Sequence, residues 1–277
     1  MLISVSGKIN SGKDTVGKII QILTASSHFT DETVEDFLKK DLYESYWKIK
    51  KFADKLKDIV CLLIGCTREQ LEDREFKEKE LGEEWDTIKY SIIDSDDAIL
   101  FSSFYKNDVE NDLDYYSDYH HRTVEIIETN IRITPRLLLQ LLGTECGRQI
   151  IHPNIWCNSL MSDYKPLVSY QAVLLDLSIN SGQIEKIGKP IEAEHPNWII
   201  TDTRFPNELK AVKDKQGITI RVNRNTYLPG GGELGYIEHG SETALDNAEF
   251  DYVINNNKDI LHLISEVRKI LKKENLI

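Results

Sequence analysis

The chain has 277 residues, 40% of them hydrophobic and 29% charged, an ordinary globular profile with material for one large α/β domain or two small ones. With 34 basic against 46 acidic residues the net charge is −12, which repels polyanions at long range and argues against nucleic acid as a partner while leaving room for a local basic pocket that takes a small phosphate. No run approaches the ~18 apolar residues of a membrane span, and the short N-terminal apolar run lacks the basic flank of a signal peptide, so a cytoplasmic protein with no membrane partner is expected.

Residues 2 to 20, LISVSGKINSGKDTVGKII, pass from an apolar run through a glycine-bounded loop into a helical pattern. Leu2, Ile3 and Val5 predict a buried strand. Gly7-Lys8-Ile9-Asn10-Ser11-Gly12-Lys13 fits the spacing G-x-x-x-x-G-K, in which small residues let successive backbone N–H groups curl around a phosphate. Lys13 is then placed to reach the outer phosphates. The helix that starts there has Val16, Ile19, Ile20 and Leu23 on one face and points its positive end at the anion. One residue departs from the pattern: where Ser or Thr usually offers a hydroxyl to Mg²⁺, the chain has Asp14, followed by Thr15. A merely structural Gly-rich turn is the alternative reading.

Residues 28 to 47 predict a partly helical connection, and a short strand follows at about Ile49 to Ala53. Asp54 to Gly65 reads as a helix with Leu56, Ile59, Val60 and Leu63 on one side and Gly65 as its stop. Lys55 and Lys57 at its start suit either a solvated face or a substrate phosphate. Residues 67 to 84 carry dense charge of both signs and predict a solvent-facing helix or a mobile flap, in which Arg74 and Lys79 could meet an anion. From 85 to about 130 no clear period emerges, and eight acidic residues between Asp94 and Asp118 face the single Lys106, the composition of a peripheral insertion. His120-His121 lacks a third ligand and argues against a metal there. The cysteines, Cys61, Cys66, Cys146 and Cys157, show no C-x-x-C spacing and are expected to be reduced, buried thiols.

Thr134-Pro135-Arg136 opens a strong helix, with Thr134 as N-cap, Pro135 at the first position and Leu138, Leu141 and Leu142 on the core face. Gly143-Thr144-Glu145-Cys146-Gly147-Arg148 forms its next turn, and Pro153 restarts a helix. Leu167 to about Ile187 suggests a hairpin ornament. Trp198-Ile199-Ile200-Thr201-Asp202 is an apolar strand ending in a carboxylate, Pro206 to Gln216 a helix closed by Gly217, and Ile218 to Val222 another strand. Pro229-Gly230-Gly231-Gly232 reads as a flexible surface loop. His239-Gly240-Ser241-Glu242 leads a short helix, Tyr252-Val253-Ile254 is the last strand, and Ile260 to Leu271 marks an amphipathic closing helix.

Five strands interleaved with helices predict a mostly parallel sheet covered on both faces, with ligands at the carboxyl ends of its strands. Three places qualify: Gly7 to Thr15, Ala53 to Lys57, and Asp202 to Arg204. Asp202 resembles the strand-end carboxylate that holds Mg²⁺ or its water beside a phosphate loop. Arg204 either pairs with Glu208 or binds phosphate. Arg136, Arg148 and Arg204, at element ends in an acidic protein, suit a site that brings two phosphate-bearing molecules together. An acceptor phosphate needs no strong base, only neutralised charge and in-line alignment, so kinase chemistry is favoured over hydrolysis.

The same stretches resemble the bacteriophage-type deoxynucleoside monophosphate kinases of the P-loop kinase superfamily. The resemblance rests on Ser6-Gly7-Lys8 through Ser11-Gly12-Lys13-Asp14-Thr15, Phe52-Ala53 through Leu56-Lys57, and Thr134-Pro135-Arg136 through Gly143-Thr144-Glu145 and Gly147-Arg148. It continues in Asp202-Thr203-Arg204-Phe205-Pro206-Asn207-Glu208, and in His239 with Ser241-Glu242 before Asp251-Tyr252-Val253-Ile254. It implies a three-layer α/β fold of the P-loop NTPase type, one domain over 1–277 with insertions at about 85–130 and 165–195, and an aspartate at position 14 as the usual residue. It also implies the reaction ATP + dNMP ⇌ ADP + dNDP with Mg²⁺. By matching position, Gly7, Lys8, Asn10, Ser11, Gly12, Lys13, Asp14 and Thr15 would hold ATP, and Asp14, Thr15 and Asp202 the metal. Arg136, Arg148 and Arg204 would bind the acceptor or transferring phosphate, with Asp202 and Glu208 nearby; Lys55, Lys57 and Arg74, read from their places in the chain, join Arg136, Arg148, Arg204 and Glu208 as substrate-side candidates, and Lys13, Asp14, Arg136, Asp202 and Arg204 are expected to act in transfer. Expected partners are the two small nucleotides, with a homodimer admitted and, if the chain is phage-encoded, the host cytoplasm as its location. The rival readings are a kinase for another small phosphorylated acceptor and a non-kinase ATP-binding switch.

Overall fold

The computed structural model describes residues 1–40, 44–94, 98–120, 123–166, 194–224 and 243–277. Its strands in chain order are β1 (Leu2–Ser6), β2 (Trp47–Lys50), β3 (Thr87–Asp94), β4 (Ile99–Ser103), β5 (Val124–Ile131), β6 (Asn197–Thr203), β7 (Ile218–Asn223) and β8 (Tyr252–Asn255). The hairpin at 167–187, the glycine run at 230–232, the His239 to Glu242 helix and His121 lie outside the described residues. The described chain divides into two compact units, Met1–Lys55 with His152–Ile277, and Leu56–Ile151.

In the first unit five strands form a sheet in the order β2-β6-β1-β7-β8, and every pairing is parallel. Central β1 is buried at all of its positions, as a strand covered on both faces must be, and its two small polar residues are satisfied there, Ser4 Oγ by Thr203 Oγ1 at 2.7 Å and Ser6 Oγ by Arg221 Nη1 at 3.0 Å. Ile3 and Val5 point into a core shared with Val16, Ile19, Ile20 and Leu23 of α1 (Lys13–Ala25) and with Leu263, Ile264 and Val267 of α10 (Ile260–Lys273). Helix α2 (Asp31–Lys40) packs against both of these helices, which also touch each other. The alternate strand residues Leu2, Ser4, Trp198 and Ile200 are equally buried outside that core, toward Leu209 and Val212 of α9 (Pro206–Lys213), which packs on β1 and β7 and also on α8 (Ile155–Met161). The three-layer α/β architecture expected from the sequence is therefore present.

Two boundaries differ from expectation. β2 ends at Lys50 because Lys51, Phe52 and Ala53 turn away, with the Lys51 N–H donating to Asp54 Oδ2 at 2.8 Å. α9 ends at Lys213 rather than Gln216: Gln216 takes φ 55°, and the Gly217 N–H returns to Val212 O at 3.0 Å.

The second unit begins within α3 (Asp54–Ile64), which stops at Gly65 with φ 68°, as its sequence predicts. Only Leu56 and Val60 of its apolar face are buried; Leu62 is 84% exposed, and Ile59 and Leu63 are exposed too. The charged stretch forms two short helices, α4 (Arg68–Glu72) and α5 (Arg74–Glu78), rather than one. Asp73 causes the break: extended at φ −65°, ψ 135°, it ends the first helix and caps the second by accepting the Phe76 N–H at 2.8 Å. The stretch read as an aperiodic insertion is ordered into an antiparallel sheet, β4-β3-β5, with α6 (Lys106–His120) packed on it. Thr134 caps α7 (Pro135–Gln140) by accepting the Leu137 N–H at 3.2 Å, with Pro135 in the first turn as expected. From Leu141 to Ile151 the chain winds as a π-helix, which no sequence signal announced. All four thiols are free, but only Cys157 is buried; Cys61, Cys66 and Cys146 are partly exposed.

Candidate active site

The carboxyl end of β1 runs into the loop at Gly7 and the loop into α1 at Lys13. Two glycines have steric reasons to be there. Gly12 sits at φ 96°, a conformation side-chain-bearing residues avoid, and a Cβ on it would stand 2.6 Å from Asn256 Nδ2. A Cβ on Gly7 would stand 2.7 Å from Val222 O and collide with Ser11 Oγ. Asn10 also adopts positive φ, 61°. Buried Asn256, just beyond β8, braces the curve by donating Nδ2–H to Ser11 O at 2.8 Å, while its own N–H donates to Asn223 O at 2.7 Å. Ser11 is only 2% exposed, and its Oγ has no hydrogen-bond partner among the described residues. A buried hydroxyl left unpaired costs about 1–3 kcal/mol, which a ligand acceptor in the loop would recover.

Lys13 is 8% exposed at the first residue of α1, with Asp14 exposed and Thr15 half-buried behind it. Asp14 Oδ1 accepts from Thr201 Oγ1 at 2.8 Å and lies 3.3 Å from Lys51 Nζ. Partial burial would raise this carboxyl, but the Thr201 hydroxyl and the Lys51 and Lys13 ammonium groups outweigh it and hold Asp14 below the usual carboxylate range. Lys8, in the loop, lies 3.4 Å from Asp246 Oδ2. Asp246 Oδ1 in turn accepts from Arg221 Nη2 at 2.9 Å, and Arg221 Nη1 donates to Ser6 Oγ at 3.0 Å.

Asp202 lies on β6 near its carboxyl end, as expected for a metal-holding strand-end acid, yet both its oxygens are engaged by the neighbouring turn. Oδ1 accepts the Phe52 N–H at 2.8 Å and Oδ2 the Ala53 N–H at 3.1 Å. Burial, and then the negative charge of Glu208, push this carboxyl up to about 6 despite those two hydrogen bonds. Glu208 is itself 2% exposed and spends Oε2 on the N–H groups of Arg204 (2.8 Å) and Phe205 (3.2 Å), the entry to α9. Lys55 donates to Ser159 O at 2.7 Å and pairs with Asp163 at 2.9 Å.

Lys57, Arg74, Arg136 and Arg148 belong to the second unit. Lys57 pairs with Glu72, and Arg136 Nε with Glu78 Oε1. Arg74 is exposed at the first position of α5, and Arg148 is half-buried in the π-helix. Lys77, which the sequence reading passed over, lies among them. Burial chiefly, then the charges of Lys57 and Arg136, hold its ammonium below the usual lysine range against the pull of Glu72.

Among the described residues the loop's partners Lys51, Thr201, Arg221, Asp246 and Asn256 were also missed. Lys51 and Asn256 follow directly on the carboxyl ends of β2 and β8, so the rule that flagged Asp202 would have found both. Thr201 and Arg221 lie inside strands, and only the strand order brings them to the loop.

The profile of the deoxynucleotide monophosphate kinase family matches residues 1–176. A deoxynucleoside-5′-monophosphate kinase of Escherichia phage T5 is 25% identical over 225 residues, spanning 77% of this chain and 72% of the relative. With the glycine-bounded Gly7–Lys13 loop at the carboxyl edge of a parallel sheet and the family match running through more than half its length, the chain belongs to the deoxynucleotide monophosphate kinase family.

Proposed function

We propose that this kinase, which moves the γ-phosphate of ATP to a deoxynucleoside 5′-monophosphate, uses the Gly7–Thr15 loop as its ATP grip and Mg²⁺ as its metal. The observation that carries the assignment is the loop itself: a left-handed Gly12, a buried Lys13, and an enclosed Ser11 hydroxyl with no partner among the described residues. Asp14 and Thr15 fit Mg²⁺ in kind, being hard oxygen donors beside the phosphate loop, and Mg²⁺ commonly takes only one or two protein oxygens with phosphate and water filling the rest. When bound, the ion would supply positive charge that neutralises the nucleotide phosphates.

Lys13 carries charge toward the transferring phosphoryl group, and the α1 N-terminus adds to it. Asp14, kept ionised by Thr201 and Lys51, would offer its carboxylate to the metal. Asp202 serves by pinning the Phe52–Ala53 turn with both oxygens, and Glu208 by fixing the backbone that presents Arg204. Within the second unit Lys57, Arg74, Arg136 and Arg148 offer cations for a nucleotide phosphate, and within the first unit Arg204, just past the carboxyl end of β6, offers another. Arg136 would exchange Glu78 for phosphate, a planar fork suited to two oxygens at once. Lys77, set among like charges, joins that group.

The test is Lys13→Ala with nucleotide binding and turnover measured separately. Turnover should fall by several orders of magnitude in a protein that melts like wild type; near-wild-type turnover would remove the phosphate grip from this loop.

A further inference from the structure

Lys51 lies at the end of β2 on a flexible stem, its side chain 31% exposed, and its ammonium stands 3.3 Å from the same Asp14 oxygen that accepts the Thr201 hydroxyl. That oxygen belongs to the carboxylate assigned above to Mg²⁺. A divalent ion in contact with it and an ammonium within 4 Å of it would repel strongly, so the two cations compete for one carboxylate. Lys51 is free to leave in a way that Lys13, buried at the start of α1, is not. An arriving polyphosphate supplies the acceptor oxygens that Lys51 gives up at Asp14. We infer that Lys51 is a stand-in cation for the divalent metal: it neutralises Asp14 while the loop is empty, keeps free metal weakly bound, and moves to nucleotide phosphate when metal and nucleotide arrive together. Metal and nucleotide binding are thereby positively coupled through one side chain. The inference rests on Asp14 as the metal's carboxylate and extends that reading to the order in which the site fills.

Direct binding of Mn²⁺, followed by the electron paramagnetic resonance of the free ion, tests it with and without ADP and independently of turnover. Without nucleotide, Lys51→Met should bind Mn²⁺ roughly three- to fivefold tighter than wild type, the range expected for releasing a partly exposed ion pair. Lys51→Arg, which keeps the pair, should stay within about twofold of wild type by the same reckoning. With ADP present the advantage of Lys51→Met should vanish, and its affinity for metal-free ADP should be below that of wild type. Adding Asp14→Asn to Lys51→Met should abolish the gain. Lys51→Met binding Mn²⁺ no tighter than wild type overturns the proposal, as does a gain that survives Asp14→Asn. Lys51→Gln gives the same reading if the methionine variant does not fold. A negative result leaves phosphorylation of deoxynucleoside monophosphates standing, because ADP release reads that separately.

Discussion

Asp14 concentrates the chemistry that distinguishes this loop from the common pattern with a hydroxyl at the same place. Its full negative charge is matched by Lys51, Lys13 and the Thr201 hydroxyl, so the surroundings are arranged for a carboxylate. Asp14→Ser recreates the commoner loop, yet it should lower kcat by about tenfold or more, or ~1.4 kcal/mol of transition-state stabilisation. The loss should be largest at low magnesium; identical kcat at every magnesium concentration would make Asp14 only a helix-capping residue. Asp202 behaves oppositely with pH. Its folded value, about 6, lies above the ordinary 3.8, so the neutral form is favoured in the native state, and the stability this gives is complete below about pH 4 and lost as pH rises through about 6. Denaturant melts of wild type and Asp202→Asn across that range should show wild type losing on the order of 2 kcal/mol relative to the variant as pH rises from 4 to 7. A constant difference between the two would contradict the enclosed, charge-crowded carboxyl described here.

At the scale of elements, the loop is shaped by glycine sterics and held by the ends of two strands. Gly12→Ala places a methyl at φ 96° and 2.6 Å from Asn256 Nδ2, so it should cost about 1–3 kcal/mol of stability and weaken nucleotide binding. Wild-type thermal stability and ADP affinity in that variant would show that the curve is not needed. This loop was legible from sequence because spacing, glycine and helix onset all depend on residues close together in the chain. Four of the five parallel strands were legible for the same reason, each being a short run rich in apolar residues with a turn at its end, whereas β2, Trp47–Lys50, is half lysine and was placed two to three residues late. Asp73 was not legible, because a capping aspartate within a dense run of charges looks like one more solvated residue. Nor was β3-β4-β5, whose strands stabilise one another across the sheet rather than by any local period. The π-helix at 141–151 keeps an apolar composition that an α-helix would share.

For the molecule as a whole, a net charge of −12 coexists with local positive groups: Lys8, Lys13 and Lys51 around the loop in one unit, and Lys57, Lys77 and Arg136 near one another in the other. Neither group was complete in the sequence reading, since Lys51 and Lys77 gain their meaning only from neighbours distant in the chain. Among the described residues no helix is long and apolar enough to cross a membrane. Small phosphorylated molecules suit such a charge distribution, because local pockets can attract them while the surface at large repels nucleic acid. ATP turnover by this enzyme is coupled to a deoxynucleoside monophosphate acceptor. Release of ADP, followed in a coupled assay with each of the four deoxynucleoside monophosphates and the matching ribonucleotides, measures that coupling directly. The account predicts ADP release that depends on at least one added deoxynucleoside monophosphate and matches diphosphate formed mole for mole; ADP released at the same rate with no acceptor present would contradict it.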